Sequence, residues 1–492
     1  MTKTDALVVL GVYGAAHGLM LLCNGVYWDD WYIVLGSPDT IANLYRHYGL
    51  PMFGRYHAAL NSLGIAGYRL VVFLSYLASA LCLLAILGRV REIDRGTALV
   101  LVLFFAVFPS NSARISIMAS RIEVCYALFF AGFWLLAVHL ETRVLALRLA
   151  ALAFLFASFL TPSLLVFYAL VPAYVAYQAR PELRSLRSST ALLLRNLDLV
   201  LLPLAFWALK LAYFQPYGEF RGYNRVTPES ALQAFSFIDN AFYGGFVDPI
   251  VRSFQLLPEF IVSAAIAAVL VAMRLGSIDS APSAGSLRQS RWFLLAGFVM
   301  FVLGVYPYLA VGKVPTPDDW DSRHQLLTPL GAAFMLVYLP RLLVPGRAQV
   351  LIHALLIGVF VAGNLQQWVA FQKDWYKQVA LIENFRTSPE VERGTRFAID
   401  DRTRDLDANW RHYRTYEYAG LFRTAFGDAK RSGRLRRDDE IGAGETALVV
   451  EHGELQLTTL EVLRLRVLEW SDAQEFRKSV RQAVRLSATP LP

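Results

Sequence analysis

The segment Tyr27-Trp28-Asp29-Asp30-Trp31-Tyr32 sets two adjacent carboxylates in an aromatic nest, just after the first membrane-length apolar run. Ionisable groups at that depth are expensive and are retained for use. A carboxylate there can take a proton from a hydroxyl or hold a cation. Two later stretches add further chemistry. The stretch 110–123 carries Arg114, Arg121 and Glu123, and the stretch 313–324 carries Lys313, Asp318, Asp319, Trp320, Asp321, Arg323 and His324. Acids, cations and a histidine gathered on one face suit transfer from a phosphate-linked donor. A carboxylate accepts the proton of an attacking hydroxyl, while Arg, Lys and His stabilise charge growing on a phosphate leaving group. Arg does so with a two-pronged grip.

The elements that must position these groups are membrane helices. The chain has 492 residues, of which 56% are hydrophobic, and its mean hydropathy is +0.41. Apolar runs long enough to cross a hydrocarbon core of roughly 30 Å recur along most of it. The reading is an all-α polytopic membrane protein with about eleven spans, near 6–23, 67–88, 96–109, 122–140, 144–160, 163–178, 196–214, 257–273, 292–312, 325–343 and 348–367. The first run lacks a basic leader and a small-residue cleavage site, so it reads as an uncleaved helix. Gly14 and Gly18 within it form a GxxxG, which predicts close helix packing.

Arginine placement orients the bundle. Arg89, Arg91 and Arg95 share one short loop, and Arg143 and Arg148 share another. Arg180, Arg184, Arg187 and Arg195 follow, then Arg274, Arg288 and Arg291, then Arg341 and Arg347. With eleven spans, all five loops fall on the cytoplasmic face. The segments 24–66, 110–121, 161–162, 215–256, 313–324 and everything after 368 fall on the outer face. The net charge of +8 therefore reads as orientation and lipid contact. No basic stripe with interleaved aromatics points to nucleic acid. Arg outnumbers Lys and no Asn-x-Ser/Thr sequon occurs, which fits a bacterial inner-membrane protein.

Two units follow: a transmembrane catalytic domain, 1–368, with a long first outer loop at 24–66, and a small α/β extracytoplasmic domain, 369–492. In the first loop, Ile41, Leu44, Tyr45 and Tyr48 have helical spacing and predict helices lying in the interface plane. In the tail, 446–451 reads as a strand, 454–458 as a second strand after a His452-Gly453 turn, and 413–426 as a helix. Residues 275–290 read as a flexible linker. Cys23, Cys82 and Cys125 show no metal or disulfide spacing and read as buried small hydrophobes. No cofactor is expected. Asp319 and Asp321 have the Asp-x-Asp spacing that can hold a divalent cation through oxygens, without a matching partner elsewhere.

This layout resembles the GT-C superfamily of membrane glycosyltransferases: many spans, a long first outer loop with an acidic motif near its start, and an outer C-terminal domain. The matching motif is Asp29-Asp30. The resemblance implies a lipid-phosphate-linked sugar donor, with Asp29 or Asp30 in the position of the general base; the favoured assignment makes Asp29 the base and Asp30 its partner or an acceptor contact. On that reading Arg323, His324, Lys313, Arg114 and Arg121 would contact the donor phosphate. Trp28, Trp31, Glu123, Asp319 and Asp321 would shape the acceptor side, and the partners would be a polyprenyl-phosphate sugar, a glycan or lipid-linked acceptor, and membrane lipids. The acidic pair is equally of a type that caps an interfacial helix, and Arg323 of a type that snorkels to the headgroups. Two other classes share the layout. An O-antigen ligase or polymerase would place its main loop at 215–256. A transporter or flippase of lipid-linked sugars would show charge near the midplane of its spans, and these spans are almost free of it.

Overall fold

The computed structural model describes residues 2–181, 185–277, 287–316, 319–344, 346–436 and 444–489. Of the linker expected at 275–290, residues 278–286 lie outside the described residues, as do Arg184 and Asp318, while its two ends are helical, in Ile261–Gly276 and Leu287–Leu309. The chain is a multi-pass membrane protein. Six helices are long and apolar enough to cross a bilayer: Lys3–Leu22, Gly64–Leu87, Ser120–Thr142, Leu257–Gly276, Leu287–Leu309 and Gly346–Thr387. A seventh span arises if the pair Leu186–Arg195 and Leu197–Tyr213, bent by 55°, crosses as one. Four shorter apolar helices, Arg95–Val107, Leu145–Ser158, Ser163–Gln178 and Thr328–Leu343, occupy the remaining expected places. A count of eleven exceeds what helix length alone supports.

The short helix Arg95–Val107 is apolar all round, and every residue from Thr97 to Val107 is buried. A helix with no polar face belongs in the centre of a bundle. Asp94 caps it, accepting from the Thr97 amide at 2.9 Å. Peripheral helices instead expose apolar side chains such as Leu204, Trp207, Ile266 and Val269, as lipid-facing surfaces do. Close packing depends on glycine at Gly331, where an added Cβ would come within 2.4 Å of the Phe301 backbone nitrogen. The expected packing at Gly14 and Gly18 is not found: a Cβ at either would meet nothing within 4 Å. No described helix closes on that face.

Ion pairs gather the arginine-bearing loops at one end. Asp5, buried beside its own capping residue Thr2, accepts from Arg95 at 2.8 Å and Arg274 at 2.7 Å. Arg180 reaches Glu92 at 2.5 Å, and Gln289 donates to the Glu92 carbonyl at 3.0 Å. Arg148 reaches Asp198 at 2.5 Å. At the opposite end lie the long loop 24–66 and the C-terminal unit. The loop folds into short helices Asp30–Val34, Pro38–His47 and Pro51–Asn61. Ser37 caps the second, with Pro38 at its first position, and Ile41 and Tyr45 form its buried face.

The helix Gly346–Thr387 runs unbroken through residue 368 and carries the chain into the C-terminal unit. There β1 (Arg396–Asp401), β2 (Ser432–Leu435), β3 (Thr446–His452) and β4 (Val484–Thr489) form one sheet in the order β2-β1-β3-β4. β1 is parallel to β2 and β3, with Ile399 opposite Leu435 and Leu448, and β3 is antiparallel to β4. The strand expected at 454–458 does not form. Gly453 passes so close to Gln482 that a Cβ would lie 2.0 Å from its carbonyl oxygen. Thr458 instead caps the helix Thr459–Ser471. The partner of β3 thus comes from beyond two helices. Phe422 of the helix Thr415–Phe426 stacks on Phe385 at 4.4 Å and Phe397 at 4.9 Å, joining long helix, sheet and this helix in one core. Buried Lys377 binds Asp401 at 2.8 Å and Asp407 at 2.5 Å, which locks the sheet to the long helix.

Candidate functional site

Asp29 and Asp30, adjacent in sequence, meet opposite surroundings. The chain leading to them is fixed by buried Arg69, which donates to the carbonyls of Cys23 at 3.3 Å and Gly25 at 2.8 Å. Trp28 then takes φ of 49°, uncommon for a bulky residue. Its amide donates to Glu417 at 3.2 Å. Asp30 is fully buried and accepts three hydrogen bonds, from the Ser116 hydroxyl at 2.6 Å and the amides of Ile117 and Met118, each at 2.9 Å. Burial pushes its carboxyl up to about 6, opposed by Arg69 and by those three donors. Asp30 thereby staples the first loop to 116–118. Asp29 is half-buried, and one oxygen accepts from the Tyr416 hydroxyl of the C-terminal unit at 2.9 Å. Its other oxygen bonds to no described residue, which leaves it available to a ligand.

The cations collect in a cavity of about 1160 Å3. Its lining includes Arg121, Lys210, Arg221, Arg225, Lys313 and Arg323, together with His324, and among the described lining residues there is no carboxylate. Tyr48, Tyr223, Tyr308, Leu165, Val166 and Val311 supply apolar and aromatic wall. The cations come from several elements, with Arg221 and Arg225 sharing the loop after the 3-10 turn Gly218–Phe220. Arg121 opens the helix Ser120–Thr142, Lys210 lies in the last turn of Leu197–Tyr213, and Arg323 and His324 sit on the 3-10 turn Trp320–Gln325. The Arg121 guanidinium rests among the rings of Phe53, Tyr48 and Tyr45 at 5.1, 5.4 and 5.8 Å and has no acidic partner among the described residues. Arg323 lies 4.3 Å from the Trp320 ring centre and binds Asp321 at 3.0 Å.

Crowding of like charge shows in the titrating groups. Burial pushes the Lys313 ammonium down, and neighbouring Arg323 adds to it. Burial pushes His324 down to about 2, helped by Arg323 and Lys313, so its imidazole is neutral among these protein groups. Its Nδ1 is buried without a hydrogen-bond partner. An incoming anion would relieve all three.

Aromatic contacts join the acid to the cationic cavity. The Trp28 ring meets Trp320 at 5.6 Å, and Arg323 rests on Trp320. Trp28 also donates its indole N–H to Asp319, and Arg411 lies 3.7 Å from the same oxygen. Ser322 accepts from the Ala113 amide at 2.7 Å, tying the 320–325 turn to the 110–118 segment. The structure therefore sets Arg121, Lys313, Arg323 and His324 on one cavity wall, with Asp321 bound to Arg323, and connects Asp29 and Asp319 to that wall through Trp28 and Trp320 rather than placing them in it. It sets Arg114 and Glu123 apart: they pair with each other at 3.2 Å, fully buried, with Arg114 3.7 Å over Tyr76, and neither lines the cavity. Trp31 packs against Gly420 of the C-terminal unit. Asp319 and Asp321 point at cations, and among the described residues no group of three or more His, Cys, Asp or Glu is placed to hold a metal ion.

Sequence reasoning missed Lys210, Arg221, Arg225 and Tyr416. Arg221 and Arg225 flank the aromatic Gly222-Tyr223 in a loop already marked by its aromatic content, and their alternation with Tyr was the available signal. Tyr416 carried none beyond its helical spacing.

Two solved structures of ArnT from Cupriavidus metallidurans are similar to this chain. The one bound to undecaprenyl phosphate has 12% identity and a TM-score of 0.27, over 91% of this chain and 92% of that one. The apo structure has 13% identity and a TM-score of 0.28 over the same shares. No family model matches the chain, and a search of curated proteins finds no match.

Proposed function

We propose that this protein is a membrane glycosyltransferase that moves a sugar from a polyprenyl-phosphate donor to a glycan or lipid-linked acceptor on the outer face of a bacterial inner membrane. The observation that carries the reading is a six-cation cavity without a described carboxylate, coupled through Trp28 and Trp320 to a carboxylate with one free oxygen. Arg221 and Arg225 are exposed and the other four cations half-buried, with Arg323 paired to Asp321; an anionic ligand offsets the cost of half-burying Arg121, Lys210 and Lys313. The apolar walls suit a lipid chain next to the phosphate.

In the reaction, an acceptor hydroxyl attacks the anomeric carbon of the donor sugar. The new C–O bond forms as the bond from that carbon to the phosphate oxygen breaks. Asp29 takes the hydroxyl proton through its free oxygen, and the phosphate leaves with the bonding electron pair. Arg121, Lys313 and Arg323 face the growing negative charge, and His324 donates an N–H to it. Asp30 and the Arg114–Glu123 pair hold the surrounding loops. The unit 369–492 closes over the acid through Tyr416 and lies on the same side as the acidic loop. No metal is assigned a role.

The position of Arg221 and Arg225 in the cavity wall favours one second reading, a ligase or polymerase working from the loop 215–256 without a carboxylate base. Mass spectrometry of surface polysaccharide from a deletion strain tests the first reading: it expects a missing monosaccharide. An unchanged profile would contradict it.

A further inference from the structure

A second, smaller cleft of about 260 Å3 opens between the first outer loop and the C-terminal unit, lined by Trp31, Tyr32, Thr40, Tyr416, Gly420 and Arg423 among others. It shares no lining residue with the cationic cavity. Tyr416 borders it and also holds Asp29 at 2.9 Å. Asp29 lines neither compartment: it reaches the small aromatic cleft through the Tyr416 hydroxyl and the large cationic cavity through Trp28 and Trp320, on which Arg323 rests. We propose that the small cleft is the acceptor subsite and that it seats the terminal ring of a saccharide against Tyr32 and Tyr416, with the reacting hydroxyl at Asp29. The assignment rests on the transferase reading above.

Four features fit a sugar ring. Tyr32 and Tyr416 stand 5.5 Å apart at 37°, and Tyr32 is 52% exposed, so a ring face is presented to solvent. The C–H face of a pyranose carries partial positive charge and packs on the negative face of an aromatic ring. Arg423 is exposed and makes no side-chain hydrogen bond or ion pair to a described residue, so its donors can meet sugar hydroxyls. The floor is fixed by Trp31, whose ring lies so close to Gly420 that a Cβ there would stand 2.3 Å from it. The volume is below the range of roughly 300–1000 Å3 that accepts extended ligands, which suits one ring rather than a lipid chain.

The test uses the full-length protein, a synthetic polyprenyl-phosphate hexose and surface glycan isolated from the deletion strain. Tyr32→Ala and Arg423→Ala should each raise the acceptor KM about tenfold, the loss expected for one good contact, and leave the donor KM unchanged. Tyr416→Phe keeps the ring and removes the hydroxyl, so kcat should fall while both KM values hold. A merely structural role would instead change both KM values and thermal stability together. Saturation-transfer NMR of the same glycan separates this inference from the transferase reading. Signal from the wild type that is lost in Tyr32→Ala supports the subsite even without turnover. Unaltered acceptor KM in Tyr32→Ala and Arg423→Ala, or no glycan signal from the wild type, would overturn it.

Discussion

Trp28 and Asp319 are 291 residues apart, both hold positive φ, and the indole N–H of the first donates to the carboxylate of the second. Asp319 has φ 57° and ψ −164°, a backbone region that glycine occupies at little cost and other residues do not. The strain is held by Trp28 on one side and Arg411 on the other, and it sets the turn that carries Arg323 and His324.

Asp319→Gly should therefore separate stability from function. The backbone strain of about 1–3 kcal/mol is relieved, so the midpoint of thermal unfolding should hold or rise. The anchor of the 320–325 turn is lost, so turnover should drop by tenfold or more. Unfolding scans and initial rates on the same preparation check both halves.

Asp30 gives a pH dependence with a definite sign. Its carboxyl titrates near 3.8 when unfolded and about 6 when folded, because burial disfavours the charge. The folded chain holds that proton more tightly, so the resulting stabilisation is fully present below about pH 3.8 and is lost as pH rises through about 6. A shift of this size corresponds to about 3 kcal/mol. Asp30→Asn cannot titrate, and it also faces an amide N–H with an amide N–H, at a cost of about 1–3 kcal/mol. The stability difference between wild type and Asp30→Asn should shrink from pH 4 to 6 and stay flat above. A difference independent of pH would show that Asp30 is ionised throughout.

The cavity cations divide by their surroundings. Arg121 is boxed by aromatic faces without an acid among the described residues, and on the proposed reading it is a cation kept for a ligand. Arg121→Met should raise the unfolding temperature of the protein alone and abolish the stabilisation that added polyprenyl phosphate gives the wild type. Arg323 stands 4.3 Å over the Trp320 ring while binding Asp321, a double contact that a planar guanidinium makes better than an ammonium. Arg323→Lys should impair turnover strongly with folding retained, and Arg323→Ala should be worse. Full activity in Arg323→Lys would reduce Arg323 to a snorkelling anchor.

Much of the architecture was legible because membrane helices announce themselves by length and apolarity, and helices 38–47 and 415–426 by their spacing. The acidic pair and the 313–324 cluster were legible because charge beside lipid is rare. The full burial of Asp30, expected as partner of the base or as an acceptor contact, was not. It depends on which carboxylate meets the amides of 117 and 118 and which meets Tyr416, and no local pattern encodes contacts 87 to 387 residues away. The same holds for Arg114: its residue type suits phosphate, but Glu123 nine residues later claims it. The second strand was misplaced because β3 finds its partner across two helices, a long-range pairing that periodicity cannot show.

Topology can be checked without any substrate. Asp29 touches Tyr416 and Arg411 stands beside Asp319, so the acidic loop, the 319–325 turn and the C-terminal unit share one end of the bundle. Single cysteines at Ser37, Thr316 and Ser487, all exposed, in a chain with Cys23, Cys82 and Cys125 replaced, should all react with an impermeant reagent in intact spheroplasts. Protection of all three would invert the orientation.

The central claim is that Asp29 is the base of a sugar transfer from a lipid phosphate. The direct measurement is the initial rate of product formation by purified protein given a synthetic polyprenyl-phosphate hexose and acceptor glycan, for wild type, Asp29→Asn and Asp30→Asn. The account predicts that Asp29→Asn loses about 10²–10⁴ in rate while still binding donor and unfolding at the wild-type temperature. Asp29→Asn with near-wild-type turnover would contradict it and leave the acid as a contact for Tyr416 alone.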